Sequence, residues 1–261
     1  MHILEPKRGC VYGPVQSRRL GTSLGINLLP RGAKVCSFNC VYCQYGWTET
    51  LVSPGESWNG HRLPTVPEVR QVLQEAVLRL KMAHRLPAYV TFSGNGEPTL
   101  HPRFAEMVDV VIRARDEMAP GVHTTILSNS STISSEAIRE ALLKLDLRIM
   151  KLDCGLPDCF RTFNKPSPGI DIENITQGLV TLSRQSSVIL QSLFASGKNG
   201  NLDDENIAQW KNRVSVIAPE LVQIYTLHRG YPDEHLHPAS TQQLEQVRCL
   251  LESSGIRALV F

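Results

Sequence analysis

The sequence predicts an α/β fold, a partial open (βα)6 barrel built as a single domain over residues 1–261. Three observations predict it. Strand-like and helix-like segments alternate about six times, which implies parallel strands joined by right-handed helical crossovers. The strand segments are apolar throughout, as expected when both faces of a sheet are covered. Each of the first six strands also ends in polar or glycine-rich residues, and parallel barrels gather their active sites on that rim. A doubly wound open sheet is the competing arrangement, because alternation along the chain does not separate the two.

Residues 1–22, rich in Gly, Pro and Arg, read as an irregular lead-in. Residues 23–29 read as the first strand, ended by Pro30-Arg31-Gly32. Residues 44–65 lack periodicity and predict a long loop. In residues 67–83 the stripe Val69, Val72, Leu73, Ala76, Val77 and Leu80 has helical spacing, with Pro67 suited to the first turn. A strand over 88–93 runs into Gly94-Asn95-Gly96-Glu97-Pro98, and a helix over 102–118 turns Phe104, Val108, Val111 and Ile112 inward. Then follow a strand over 123–127 ending at Asn129 and Ser130, a helix over 134–145 with Ser134 as cap, and a strand over 147–152 ending at Asp153. A helix over 171–183, a strand over 188–194, a helix over 203–218, a strand over 221–227 and a helix over 240–253 complete the alternation. Residues 256–261 form a short apolar tail.

Composition narrows the class. Hydrophobic content of 42%, charged content of 20% and a net charge of +2 are those of an ordinary globular enzyme, and they do not by themselves argue for nucleic acid or membrane. No apolar run approaches the roughly 18 residues of a spanning helix, and no signal-peptide pattern opens the chain, so a cytoplasmic location is expected. The cysteine count, 7, is odd, and three of them are clustered, which argues against a disulfide framework and for a reducing compartment.

The cluster is Cys36-Ser37-Phe38-Asn39-Cys40-Val41-Tyr42-Cys43, with the spacing C-x3-C-x2-C. Three thiolates can hold three irons of a [4Fe–4S] cubane, leaving the remaining iron without a protein ligand and open to a substrate. Tyr42 would set an aromatic ring beside it. A zinc knuckle is the bland alternative, but zinc wants a closed set of protein ligands and no partner C-x-x-C or H-x3-H follows.

This spacing, with an aromatic before the third cysteine, resembles the signature of the radical S-adenosylmethionine superfamily. The lead-in Tyr12-Gly13-Pro14-Val15-Gln16-Ser17-Arg18-Arg19-Leu20-Gly21 and the segments Lys151-Leu152-Asp153 and Phe160-Arg161-Thr162-Phe163-Asn164-Lys165-Pro166 look like a branch of small proteins loosely related to the tRNA wyosine synthases. The resemblance implies that Cys36, Cys40 and Cys43 anchor a [4Fe–4S] cluster whose open iron chelates S-adenosylmethionine, with a low-potential donor such as flavodoxin or ferredoxin supplying the electron. It implies that Gly94, Asn95, Gly96 and Glu97 receive the amino group of the methionine moiety. Asn129 and Ser130 are candidates for the ribose or carboxylate, Asp153 is a candidate for the ribose, and Gln191 is a weaker cofactor contact. Lys151 is the candidate catalytic residue, as Schiff-base former or carboxylate binder, with a structural ion pair as the alternative. Arg229 could bind a substrate carboxylate or phosphate, and the basic residues Arg18, Arg19, Arg31 and Lys34, near the loop in sequence, could contact phosphates or be solvated. Wyosine synthases use N-terminal cysteines for an auxiliary cluster, whereas Cys10 is the sole lead-in cysteine here; Cys154 and Cys159 are expected as free thiols.

The substrate stays open between a small molecule and an RNA base. An activase that installs a glycyl radical on a partner protein and a non-enzymatic iron–sulfur carrier or redox sensor are the competing functions.

Overall fold

A computed structural model describes residues 2–56 and 62–261; residues 57–61 of the loop expected at 44–65 lie outside them. The main sheet contains β1 (Val11–Ser17), β2 (Gly21–Ile26), β3 (Tyr89–Phe92), β4 (His123–Ser128), β5 (Leu147–Lys151), β6 (Ile189–Leu193), β7 (Leu221–Tyr225) and β8 (Ala258–Val260). Their order in the sheet is their order in the chain. A doubly wound sheet would reverse direction at a switch point; this one winds one way, and β1 does not pair with β8 among the described residues, so it is a barrel left open.

All pairings from β2 to β8 are parallel. The lead-in corrects the expectation of irregular chain: Val11–Ser17 pairs antiparallel with β2, from Val11 opposite Ile26 to Ser17 opposite Gly21. Its alternation is masked because it is an edge strand with mixed exposure. The apolar tail likewise becomes β8, placing Ala258 opposite Val222.

Helices α1 (Val66–Met82), α2 (Phe104–Met118), α3 (Glu136–Leu143), α4 (Ile172–Gln185), α5 (Asp204–Ile217) and α6 (Thr241–Glu252) cover the outside. Thr65 and Glu68 close a capping box on α1, and Ser240 and Gln243 do the same on α6. The cap of α3 is Ser135, not Ser134, and its hydroxyl makes no capping bond. Apolar stripes pack α1 on α2, α2 on α3, α4 on α5 and α5 on α6.

Trp210 of α5 shows how the outer layer fixes the inner one. It is fully buried, its ring meets Phe194 edge-on at 4.9 Å, and its Nε1 donates to the Leu152 carbonyl at 2.9 Å. That carbonyl lies just beyond β5, where the site begins. Trp210→Ala is expected to cost about 4 kcal/mol and Trp210→Phe about 1 kcal/mol, read by urea unfolding.

Candidate active site

The three cysteines sit on a loop clasped from two sides. On one side Val35–Cys36 approaches the turn after β3: Val35 N donates to the Asn95 carbonyl at 2.9 Å, and Val35 forms a bridge with Gly96. Gly96 has φ +143°, and a Cβ there would stand 1.6 Å from the Val35 carbonyl oxygen. Only glycine lets the two backbones come so close. Val35–Cys36 also pairs in parallel with Thr50–Leu51. On the other side lies the turn Phe160–Asn164 and the residues after it. Asn39 N donates to the Asn164 and Lys165 carbonyls, Val41 N to the Phe163 carbonyl, and Ser167 N to the Ser37 carbonyl. Phe38 meets Phe160 edge-on, and Tyr42 packs on Phe163 at 4.9 Å.

Held this way, Cys36, Cys40 and Cys43 line an open cavity of about 580 Å³ bordered by β1, β2 and the ends of β3 to β7. All three thiols are free. Burial pushes Cys36 up to about 12, with the neighbouring Cys40 adding and Lys34 opposing. Burial pushes Cys40 up to about 11, with Cys43 adding. Such thiols become thiolates when iron compensates the charge. Among the described residues no three His, Cys, Asp or Glu converge as a single metal ion requires. Three thiols of one loop, all bordering one cavity, can each take one iron of a cubane. Two amides already address the sulfurs: Asn129 Nδ2 lies 3.5 Å from Cys36 Sγ and Asn164 Nδ2 3.6 Å from Cys40 Sγ. The donor set fits a [4Fe–4S] cluster.

The other expected residues divide into those facing the cavity and those bracing it. Tyr42, Gly94, Gly96, Glu97, Asn129, Lys151 and Gln191 line it. The Glu97 carboxylate, however, is fully occupied. It accepts from Thr99 N at 3.1 Å, Thr99 Oγ1 at 2.6 Å, Ser128 Oγ at 2.9 Å and Asn129 N at 2.6 Å, tying the end of β3 to that of β4. Burial raises its pKa, and those donors oppose the rise.

Three candidates, Asn95, Ser130 and Asp153, do not line the cavity. The Asn95 side chain turns away from the cavity to hold the N-terminal segment: its Nδ2 donates to the Lys7 and Pro30 carbonyls, each at 2.8 Å. Ser130 donates its hydroxyl to the Lys151 carbonyl at 3.0 Å, bracing β4 against β5. Asp153 is 3% exposed and lies behind Tyr42 rather than against the cavity. Its Oδ2 accepts from Tyr42 OH at 2.5 Å and Asn164 Nδ2 at 2.9 Å, and its Oδ1 from Leu193 N at 2.9 Å.

Lys151 is ion-paired. Its Nζ lies 3.0 Å from Asp153 Oδ1, donates to Tyr225 OH at 2.7 Å, and sits over the rings of Tyr42 and Tyr225. Burial alone would lower its pKa, but the Asp153 carboxylate outweighs that and the Tyr225 hydroxyl helps, so the net value lies above that of an ordinary lysine. A Schiff base needs the neutral amine, so this geometry favours the ion-pair alternative. Gln191 Nε2 donates to Gln223 Oε1 at 2.9 Å on the neighbouring strand. Asn164, whose amide lies against Cys40 Sγ and Asp153, is a site neighbour that residue-level reasoning missed; its signal was its place in the Phe160–Asn164 segment, whose clasping position spacing cannot reveal.

A model of the radical SAM superfamily matches residues 32–192, more than half of the chain. A UPF0026 protein of Synechocystis sp. is 35% identical over 230 residues, covering 85% of this chain and 77% of that protein. A protein of Brachyspira hyodysenteriae described as GTPase Obg is 30% identical over 253 residues, covering 96% of this chain, which spans only 34% of that protein's length. Among solved structures, a radical SAM methyltransferase from Sphaerobacter thermophilus overlays with a TM-score of 0.70 at 14% identity, covering 98% of this chain and 77% of that one. TYW1 with a lysine-pyruvate adduct bound overlays with a TM-score of 0.61 at 14% identity, covering 90% and 75%. The chain belongs to the radical SAM superfamily and, within it, groups with the UPF0026 proteins. It is accordingly an enzyme of radical SAM type, with a [4Fe–4S] cluster and S-adenosylmethionine as cofactors. No helix among the described residues is long and apolar enough to cross a membrane.

Three outcomes are expected. Gly96→Ala should lower thermal stability by about 3 kcal/mol or more and reduce iron content, measured by calorimetry and metal analysis. Asn164→Ala removes an N–H donor from a ligand sulfur, so the cluster potential should fall by about 60 mV, one tenfold in the one-electron equilibrium, in a redox titration followed by electron paramagnetic resonance. Because Lys151 stays charged, incubation with pyruvate and borohydride at pH about 7 should leave its mass unchanged; a trapped adduct would contradict the ion-pair assignment.

Proposed function

We propose that the protein reductively cleaves S-adenosylmethionine and uses the resulting 5′-deoxyadenosyl radical to abstract a hydrogen atom from a substrate, a small metabolite or an RNA base. The observation that carries this reading is a three-cysteine loop whose thiols line a large, solvent-open cavity at the strand ends. A carrier that only stores a cluster has no use for such a cavity, and an ordinary electron-transfer centre has a complete set of protein thiolates.

When bound, the cluster supplies the electron for cleavage and an open iron for the methionine moiety. Cys36, Cys40 and Cys43 hold the irons, and Asn129 and Asn164 stabilise negative charge on the first two sulfurs. Backbone groups of Gly94 to Glu97 edge the cavity beside the loop and offer the methionine end its polar partners. With its carboxylate saturated, Glu97 acts by fixing that backbone rather than by binding an ammonium. Burial, and then the Asp153 charge, holds the Tyr42 phenol well above its ordinary pKa, so it stays protonated and donates to Asp153, presenting its ring at a fixed angle. Lys151, paired with Asp153, sits over the Tyr42 ring beside the loop. A low-potential donor such as flavodoxin or ferredoxin is the expected electron source.

Reduced protein with S-adenosylmethionine under strict anaerobiosis should release 5′-deoxyadenosine, detected by mass spectrometry. Cys36→Ala, Cys40→Ala and Cys43→Ala should each abolish it; release retained by any of them refutes the assignment.

A further inference from the structure

We propose that Arg18, Arg19 and Arg229 form a binding site for an anionic group, a phosphate or carboxylate carried by a small-molecule substrate, at the gap between the two edges of the open sheet. The inference rests on the radical reading for the identity of the cavity and adds the class of substrate.

Geometry places the three residues together. Arg18 and Arg19 form the turn between β1 and β2 at one edge of the sheet, and they reach across the gap to the end of β7. The Arg19 guanidinium lies over the Tyr225 ring, 4.1 Å from its centroid. Arg18 Nη1 lies 3.1 Å from His228 Nε2. Because arginine only donates, Nε2 must accept, which fixes His228 as the neutral imidazole; burial and the Arg18 charge lower its pKa in agreement. Arg229 Nη1 donates to Gln44 Oε1 at 2.9 Å, joining the β7 end to the residue after Cys43. All three arginines line the same cavity as the cysteines.

Charge accounting then asks for an anion. Lys7, Arg18, Arg19, Lys34, Lys151 and Arg229 line the cavity, against a single carboxylate, Glu97. Lys151 is offset by Asp153, and Lys34 is buried under the loop with its Nζ on the Gly46 carbonyl, out of reach of the gap. No carboxylate among the described residues pairs with Arg18, Arg19 or Arg229, although most other arginines of the chain are ion-paired. A cubane on three thiolates carries one negative charge, and S-adenosylmethionine, with its sulfonium, ammonium and carboxylate, carries one positive charge, so the two cancel and leave the arginines uncompensated. Like charges are held close, on an aromatic face and beside a neutral imidazole that keep them oriented. Such an arrangement costs stability unless an anion occupies it, and planar guanidinium forks suit phosphate and carboxylate oxygens.

The test is calorimetric titration of unreduced, cluster-loaded protein, in the presence of S-adenosylmethionine, with inorganic phosphate, with succinate and with a mixed-sequence RNA hexamer. The expected result is saturable binding of phosphate or succinate, the tighter of the two identifying the anion. Arg19→Gln should weaken it about tenfold or more, Arg19→Lys by less, and Arg184→Gln, exposed at the end of α4, not at all. Absence of saturable binding, or equal binding by Arg19→Gln with native circular dichroism, overturns the site. A parallel loss of S-adenosylmethionine affinity in Arg19→Gln also overturns it, by assigning the arginine to the cofactor. Hexamer binding tighter than either small anion, with a steep salt dependence, overturns the small-molecule class in favour of RNA. Neither reduction nor turnover enters the measurement, so its failure and a failure of S-adenosylmethionine cleavage remain distinct results.

Discussion

The site depends on the closeness of two backbones, the Val35 carbonyl against the α-carbon of Gly96. That contact puts the start of the cysteine loop directly on the turn that ends β3, which is also the turn that Glu97 ties to β4. A loop of three cysteines has no regular structure of its own, and ordering it without the cluster costs conformational entropy. The fold offsets that cost with backbone hydrogen bonds from both flanks, from Asn95 on one side and from residues 163–167 on the other.

The buried acids serve this same end. Glu97 and Asp153 each gather several donors from different strands, so their charge is spent inside the wall. Buried carboxylates of this kind specify how strand ends meet, and a lost partner would leave an uncompensated charge. The cations are distributed in the opposite way. Lys151 alone is paired with one of these acids, while the arginines at the gap line the cavity without a carboxylate partner among the described residues. The wall is held by its anions, and the space it encloses is lined by cations.

The barrel was legible in the sequence because parallel strands covered on both faces leave mostly apolar runs, as in Val188 to Phe194, interrupted only by Gln191 and Ser192, and because Gly, Asn and Asp punctuate their ends. The cysteine loop was legible because the ligand chemistry dictates spacing. The lead-in strand was not, since Gly13, Pro14 and an exposed edge disguise its alternation, and its partner is recognisable only once β2 is placed. The side-chain placements of Asn95, Ser130 and Asp153 were not legible for one shared reason. A polar residue at a strand end can face the cavity or the neighbouring strand, and only the three-dimensional positions of Lys7, Lys151 and Tyr42 decide which. Asn164 was hidden for the converse reason: it stands far along the chain from Cys40, with only the fold bringing its amide to that sulfur.

The central claim is that three thiolates leave an iron facing the cavity, free to take S-adenosylmethionine. Electron paramagnetic resonance of the anaerobically purified, reduced protein, recorded before and after addition of S-adenosylmethionine, tests it most directly. The account predicts the signal of a reduced [4Fe–4S] cluster that changes shape and g-values when the ligand is added. A reduced-cluster signal that does not respond to the ligand, or a protein that holds zinc and gives no signal, would contradict it.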